Sequence, residues 1–236
     1  MKKILLYSLF VPLVSFCFSQ PLFPQEKQLG HVAFCSGDAG IKRAKEKTWQ
    51  NVEPNMPVYF GDTISTGEDG VVEIGLVDKG SFRIHPNTQL ALNTIISPVE
   101  RRNSFLLFFG RLWIKLSKYP SRSRAYEIQT PTMIAGVRGT ELEIGSYDDG
   151  TTLVHVASGM VTVDNEADRK TLSPNQGTTL SLHQREIKTE HDFKPDWEKT
   201  QRDSRQRLFS DGEKYGSTVK RDIYQRKERC SPQLAE

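Results

Sequence analysis

Hydrophobic and polar residues alternate with a period of two along many short stretches between His31 and about Ile187. This alternation is typical of half-buried β-strands, because successive side chains point to opposite faces of a strand. The clearest hydrophobic sets are Val72/Ile74/Leu76, Phe82/Ile84, Leu90/Leu92, Leu112/Ile114/Leu116, Leu142/Ile144, Val154/Val156, Val161/Val163 and Leu180/Leu182. In the first stretch, the pattern predicts that Val32 and Phe34 share one face and that His31 and Cys35 share the other.

Turn-forming residues separate these stretches, which supports the strand prediction. Examples are Asp69-Gly70, His85-Pro86-Asn87, Asp148-Asp149-Gly150 and Ser158-Gly159. Roughly ten or eleven short strands joined by tight turns predict an all-β, mainly antiparallel domain over residues 30–187. A sandwich, a flattened barrel and a solenoid-like stack all satisfy the pattern.

The chemistry changes after about Glu190, where charged residues become dense. Residues 191–236 are therefore predicted to form a short, charged, helical and partly disordered C-terminal appendage. Residues from Trp197 to Ser210 fit one amphipathic helix, with Asp196 near its N-cap. We expect Trp197 to dock this appendage on the β domain; a partner-binding helix is the alternative.

The N-terminus begins with Met1-Lys-Lys, followed by an apolar run from Ile4 to Phe18. A positive start and an apolar run shorter than the ~20 residues that span a bilayer predict a secretory signal peptide, residues 1–19. The alternatives are a lipid anchor at Cys17 and an uncleaved N-terminal anchor. No second long apolar run follows, so we expect an exported, periplasmic or outer-envelope protein without a transmembrane helix in the mature chain.

The charges bear on which partners the chain could bind, and the cysteines bear on whether it could form a disulfide. A formal net charge of +3 gives no argument for nucleic acid as a partner. Basic residues cluster in Glu100–Asn103 and Lys115–Arg124, which would suit an anionic glycan of the envelope. Cys35 and Cys230 remain after signal removal, and an oxidising compartment would permit a disulfide between them; two independent thiols are the alternative.

Motifs for catalysis or metal binding are missing from the sequence. The five histidines show no metal-ligand spacing, and no phosphate-binding loop, nucleophile elbow or Cys-x-x-Cys motif occurs. His31 and Cys35 would touch only diagonally across Ala33, so an edge-strand thiol is the ordinary interpretation. We therefore expect no enzymatic activity, no metal and no cofactor.

The order of several short motifs resembles the FecR domain family. These motifs are Gly61-Asp-Thr-Ile-Ser-Thr-Gly67, Asp78-Lys-Gly-Ser-Phe-Arg-Ile-His-Pro-Asn-Thr88, Phe109-Gly-Arg-Leu-Trp-Ile114, Val137-Arg-Gly-Thr-Glu141 and Val154-His-Val-Ala-Ser-Gly159. The resemblance covers about residues 30–187. It implies an extracytoplasmic all-β domain without catalytic activity. Well-known members follow a cytoplasmic anti-sigma segment and a membrane helix, and relay a signal from an outer-membrane transporter; we expect neither segment here.

The motif Gly136-Val-Arg-Gly-Thr140 interrupts two strand-like stretches. By the resemblance it lies inside the β domain, where its glycines would allow a bulge or a tight strand crossing. Arg138 is then predicted to pair with a carboxylate near the bend, with Asp62 and Glu141 as candidates. A ligand-binding role for Arg138, Gly139, Thr140 and Glu141 is the alternative.

The function expected from the sequence is a non-enzymatic binding or scaffold protein of the bacterial cell envelope. The alternative is a periplasmic signal-relay component coupled to an outer-membrane receptor and sigma-factor regulation, and a hydrolase of envelope polymers comes third. The expected partner is an envelope protein or an anionic glycan. The sequence names neither that partner nor the oligomeric state.

Overall fold

The computed structural model describes residues 27–78, 80–96, 101–117, 126–182, 184–200 and 202–203. The predictions of a signal peptide over residues 1–19, of a lipid anchor at Cys17 and of a disulfide to Cys230 fall outside these ranges. Most of the Lys115–Arg124 basic cluster also lies outside them.

Strands dominate the described residues, as the alternation predicts. They are β1 (Gln28–Ser36), β2 (Ala39–Lys42), β3 (Gln50–Asn51), β4 (Pro57–Tyr59), β5 (Thr63–Thr66), β6 (Val71–Leu76), β7 (Gly80–Ile84), β8 (Gln89–Ile96), β9 (Arg101–Leu116), β10 (Tyr126–Gln129), β11 (Ile134–Val137), β12 (Glu141–Ser146), β13 (Thr152–Ser158), β14 (Val161–Asp164), β15 (Arg169–Leu172) and β16 (Gly177–Leu180). The prediction of a mainly β protein is confirmed.

The strands form one hydrogen-bonded network that folds into two layers. Sheet A has the order β4-β1-β6-β7-β9-β12-β13-β16. Sheet B has the order β3-β2-β5-β8-β9-β10-β11-β14-β15. Among these pairs only β9–β10 is parallel, so the predicted antiparallel character is confirmed. Neither layer closes on itself, and the architecture is an open sandwich with the chain passing repeatedly between its layers.

The core lies between the two sheets. Phe82 of sheet A meets Phe105 of sheet B edge to face, with ring centroids 5.0 Å apart. Tyr126 stacks on Phe105 at 5.3 Å. All three rings are buried, and edge-to-face and offset arrangements of this kind are favourable for aromatic pairs. The hydrophobic members of the alternating stretches supply the rest of one continuous core.

Strand β9 belongs to both layers. Its first part pairs with β8 and β10 in sheet B, and its last part, from Gly110, pairs with β7 and β12 in sheet A. Gly110 lies at the change of layer with a φ of 99°. That φ is open mainly to glycine, because a Cβ atom would clash with the backbone. The bend places Arg111, the next residue, on the outer face of sheet A.

The first strand corrects one prediction from the alternation. Phe34 is 53% exposed, whereas Cys35 packs against the core. The cause is a shift in the β1–β6 register between Val32 and Phe34, which is the behaviour of a β-bulge: one extra residue reverses the faces of all that follow. His31 and Cys35 therefore lie on opposite faces, and the diagonal contact considered for them does not occur.

A short helix over residues 197–200 and 202–203 follows the last strand. The Asp196 carboxylate accepts a hydrogen bond from the Lys199 backbone N–H at 2.9 Å, which is the N-cap predicted from the sequence. Within the described part of the chain, no helix is long and apolar enough to cross a membrane.

Candidate binding site on the outer face of sheet A

Asp62 forms an ion pair with Arg43, which is not among the residues predicted for the site. Its Oδ2 atom lies 2.6 Å from Nη1 of Arg43 and accepts a second hydrogen bond from the Tyr59 backbone N–H at 2.9 Å. The Asp62 side chain is 1% exposed and that of Arg43 18%. These contacts tie the chain before β5 to the end of β2, so Asp62 has a structural position.

The Gly136–Thr140 motif lies where the chain crosses from sheet B to sheet A. Gly139 has a φ of 61° between β11 and β12. The Arg138 side chain is exposed, and its predicted pairing with a carboxylate stays a prediction. Thr140 is buried, and its hydroxyl has no hydrogen-bond partner among the described residues. Glu141 forms an ion pair with Lys115 at 3.2 Å; a ligand role for these residues stays a prediction.

A polar cluster from three distant parts of the chain lies on the outer face of sheet A. Arg111 follows the bend in β9, Glu143 lies in β12, and His85 begins the turn after β7. The Arg111 Nη2 atom is 3.0 Å from His85 Nδ1, and its Nε atom is 3.3 Å from Glu143 Oε1. His85 Nε2 is 3.5 Å from the same carboxylate oxygen. The three side chains thus form a closed ring of contacts.

Burial sets the charge states in this ring. Burial first, and then the positive charges of Arg111 and Arg83, lower the pKa of His85 to about 4. The imidazole is therefore neutral at pH 7, and because arginine only donates, Nδ1 accepts and Nε2 carries the proton. Burial raises the pKa of Glu143, and Arg111 partly opposes this shift. The net arrangement is one guanidinium and one carboxylate, bridged by a neutral histidine.

The C-terminal segment 190–200, which we call the strap, covers part of this face. The indole of Trp197 lies over Gly145, and the Arg111 guanidinium is 5.5 Å from its ring centroid, a cation–π distance. The Tyr147 hydroxyl donates to the Trp197 carbonyl at 3.4 Å. Trp197 therefore docks the appendage on the β domain, as its position in the sequence predicted.

A cavity of about 370 Å³ lies beside Trp197. That volume is within the usual range for ligand-binding clefts. The lining combines side chains of the polar ring with aromatic groups, and it consists of His85, Pro86, Asn87, Phe109, Gly110, Arg111, Ser146, Tyr147, Asp148, Trp197 and Glu198. Burial raises the pKa of Tyr147, so its hydroxyl stays protonated and able to donate at pH 7.

The side chains that line the cavity are suited to binding another group. The Ser146 hydroxyl donates to the Phe108 carbonyl at 3.2 Å, so its described contact is not with the histidine that shares the cavity wall. Across the described ranges, no group of three or more metal-ligating side chains comes together. The geometry suits binding of a ring or a short segment by stacking and hydrogen bonds.

The sequence patterns identified some of these residues but could not show that they are neighbours in the fold. The alternation placed Arg111 and Glu143 on outward faces, opposite the hydrophobic sets. The pairing of Arg111 with Gly145 between β9 and β12 makes Arg111 and Glu143 diagonal neighbours. The sequence of neither strand specifies that register. Gly145 was a usable signal, because a glycine inside a strand indicates close approach of another group.

Part of the chain is similar to a known protein family and to solved structures. Residues 62–162 match the model of the FecR protein family, and this segment contains His85, Arg111, Glu143 and Tyr147, whereas Trp197 lies beyond it. Two solved structures of a candidate anti-sigma factor from Parabacteroides distasonis are 18% and 17% identical, each with a TM-score of 0.47. Each match covers 55% of this chain and 59% of that one, which is less than two thirds of its length.

The comparison with curated proteins gives no match. The resemblance noted in the sequence therefore rests on the family model and on the ordered motifs that lie within its match. Residues 62–162 of this chain are thus similar to the FecR family, and the resemblance noted in the sequence is confirmed over that segment.

Proposed function

We propose that this protein is a signal-relay component of the bacterial cell envelope, coupled to an outer-membrane receptor and to sigma-factor regulation. The observation that carries the proposal is the FecR family match over residues 62–162. A regulatory family favours this role over the general scaffold expected from the sequence, and over a hydrolase.

The site supports a role in binding. A sheet face with a fixed guanidinium, a carboxylate and an aromatic cover offers stacking and charge-assisted hydrogen bonds to another protein. An exported, periplasmic location belongs to the same proposal, because a relay between a receptor and the membrane operates there. An anionic glycan is the alternative partner, and the basic loop residues would be its contact.

Transcription after deletion of the gene tests the relay. We expect a defined group of transcripts to change in the deletion strain and to return when the full chain is supplied from a plasmid. A plasmid encoding the chain without residues 1–19 is the matched control, since it retains every described strand but not the predicted export signal. If deletion leaves transcription unchanged while cross-linking in intact cells captures only envelope glycans, the scaffold function replaces the relay.

A further inference from the structure

Two glycines on the outer face of sheet A make room for the aromatic rings of the strap. A Cβ atom at Gly145 would lie 2.9 Å from Cζ3 of Trp197, and one at Gly177 would overlap the ring of Phe193. Neither glycine has a positive φ, so the backbone conformation gives no reason for glycine there. The rings give that reason, because a side chain of any size would push them off the sheet. Gly145 and Gly177 therefore each form the floor of a shallow site for an aromatic ring, and we call these sites the Gly145 socket and the Gly177 socket.

The two ends of the strap are held very differently. At the Phe193 end, Gly177 and Glu190 exchange backbone hydrogen bonds of 3.1 and 2.9 Å, and the Phe193 N–H donates to the Asn175 carbonyl at 3.0 Å. The Thr178 hydroxyl adds a bond to the Lys188 carbonyl at 2.7 Å. This end is part of the sheet edge.

At the Trp197 end, the contacts described are made by side chains. They are the ring on Gly145, the stacked Arg111 guanidinium and the 3.4 Å bond from Tyr147. No backbone ladder bond joins residues 194–200 to the sheet among the described contacts. Since the Phe193 end is fixed by the backbone, Trp197 is the part of the strap that another group displaces most easily.

Displacement of Trp197 would leave a site with a recognisable chemistry. The Gly145 socket would be open, with the Arg111 guanidinium on one side and the Tyr147 hydroxyl on another, and it would join the cavity of about 370 Å³. The native occupant shows what fits: Trp197 is flanked by Asp196 and Glu198. Glu198 lines the cavity beside the ring, and an aromatic ring with a neighbouring carboxylate matches a stacked guanidinium next to a hydroxyl donor.

We propose that the Gly145 socket and its cavity are a docking site for a peptide segment of a partner protein, with an aromatic residue flanked by acidic residues, and that Trp197 occupies this site in the unbound chain. The partner's aromatic residue takes the place of Trp197 while the Phe193 end stays attached. The inference rests on the proposed relay function, for which it supplies the contact and the way that contact is regulated.

Two substitutions distinguish a docking site for a partner from a strap that only covers the sheet. Both Trp197→Ala and Gly145→Val remove the tryptophan from the socket, but only Trp197→Ala leaves the socket empty. Valine is compatible with the strand conformation at position 145, where φ is not positive. Thermal melting and circular dichroism of both variants establish that each is folded.

The probe is a synthetic peptide with the sequence of residues 194–203, which carries the tryptophan and its acidic neighbours. Binding is followed by NMR shifts of the backbone amides in residues 110–113 and 143–147 of the full chain. We expect the peptide to bind the Trp197→Ala protein at least tenfold more tightly than the wild type, because the internal competitor is gone. Gly145→Val should lose this binding, and the same peptide with alanine for tryptophan should not bind. Equal binding to the two variants, or binding to neither, would overturn the docking site.

The same pair of variants is then compared in cells, using the transcripts that respond to deletion of the gene. If a partner enters the socket, Trp197→Ala should change the levels of these transcripts at least threefold relative to the wild type. Gly145→Val should change the levels in the opposite direction or leave them unchanged. If the strap is only a cover, the two variants give the same transcription, and partner docking is rejected. Transcripts that fail to respond even to deletion reject the relay function, while the peptide titration still decides the docking site.

Discussion

Asp62 and Arg43 form a much more buried ion pair than those on the outer face of the sheets. Their side chains are 1% and 18% exposed, compared with 26% and 49% for Glu73 and Arg83. Removing one partner of a buried pair leaves an uncompensated charge, whereas exposed pairs contribute little. We expect Asp62→Ala to lower the free energy of unfolding by about 3 kcal/mol. Glu73→Ala is the control, at roughly 0.5 kcal/mol, and urea denaturation measures both; similar losses would contradict this assignment.

His85 gives the protein a predictable sensitivity to acid. Its pKa is lowered from 6.5 to about 4 in the folded protein. Between these pH values the unfolded chain binds a proton at His85 and the folded protein does not, so the free energy of unfolding falls as the pH drops through this window. The raised pKa of Glu143 acts with the opposite sign at pH values above the ordinary pKa of a glutamate carboxyl, and it offsets part of the effect.

Replacement of His85 isolates the histidine contribution. We expect the wild type to lose roughly 2 kcal/mol more than His85→Gln when urea denaturation is moved from pH 7 to pH 4.5. Glutamine retains a hydrogen-bonding side chain but does not titrate. Equal losses in the two proteins would show that His85 does not control the acid response.

At the scale of the element, β9 depends on the backbone conformation of Gly110. Its φ is 99°, and a Cβ atom there would clash with Thr88 and lie 2.6 Å from the Asn87 carbonyl oxygen. Gly110→Ala should therefore cost about 3 kcal/mol or more, because both strain and backbone overlap arise at the point where the strand changes layers.

Gly136→Ala is the matched control for this prediction. Gly136 lies inside β11 without a positive φ, and an added Cβ atom would meet its nearest neighbour, the Thr162 carbonyl oxygen, at an ordinary 3.7 Å. We expect little or no loss from this change, since alanine also restricts the unfolded chain. A urea midpoint for Gly110→Ala close to that of Gly136→Ala would contradict the role assigned to the bend.

Strand existence was predictable from the sequence because it depends on local alternation, whereas strand pairing was not. Val72 to Leu76 and Leu142 to Ile144 are strands with the predicted faces buried. The exposed Phe34 was missed because a bulge in β1 depends on the partner strand β6. The contact of His85 with Arg111 needs the β7–β9 pairing, which joins residues far apart in sequence. Asp62 was named as a candidate carboxylate partner, but its ion pair with Arg43 joins residues that are 19 positions apart and was not predicted for the same reason.

For the whole molecule, sharing of β9 between the sheets predicts cooperative unfolding. The two layers enclose one core, and neither keeps its hydrophobic face covered without the other. We expect the slowest-exchanging amides of both sheets to open with the same free energy in native-state hydrogen exchange. Amides of the Trp197 end of the strap should exchange faster and serve as the internal comparison. A distinctly lower opening free energy for all of one sheet would mean that the layers unfold separately.

The strand order of sheet A also fixes the distance between its first and its last strand along the chain. Six inter-strand spacings of about 4.8 Å separate β1 from β16, so these strands lie roughly 29 Å apart across the sheet. Strands β1 and β16 are thereby held at a set distance from each other. A mechanical pull applied between β1 and β16 would therefore load the hydrogen bonds of sheet A across the strands, one ladder after another.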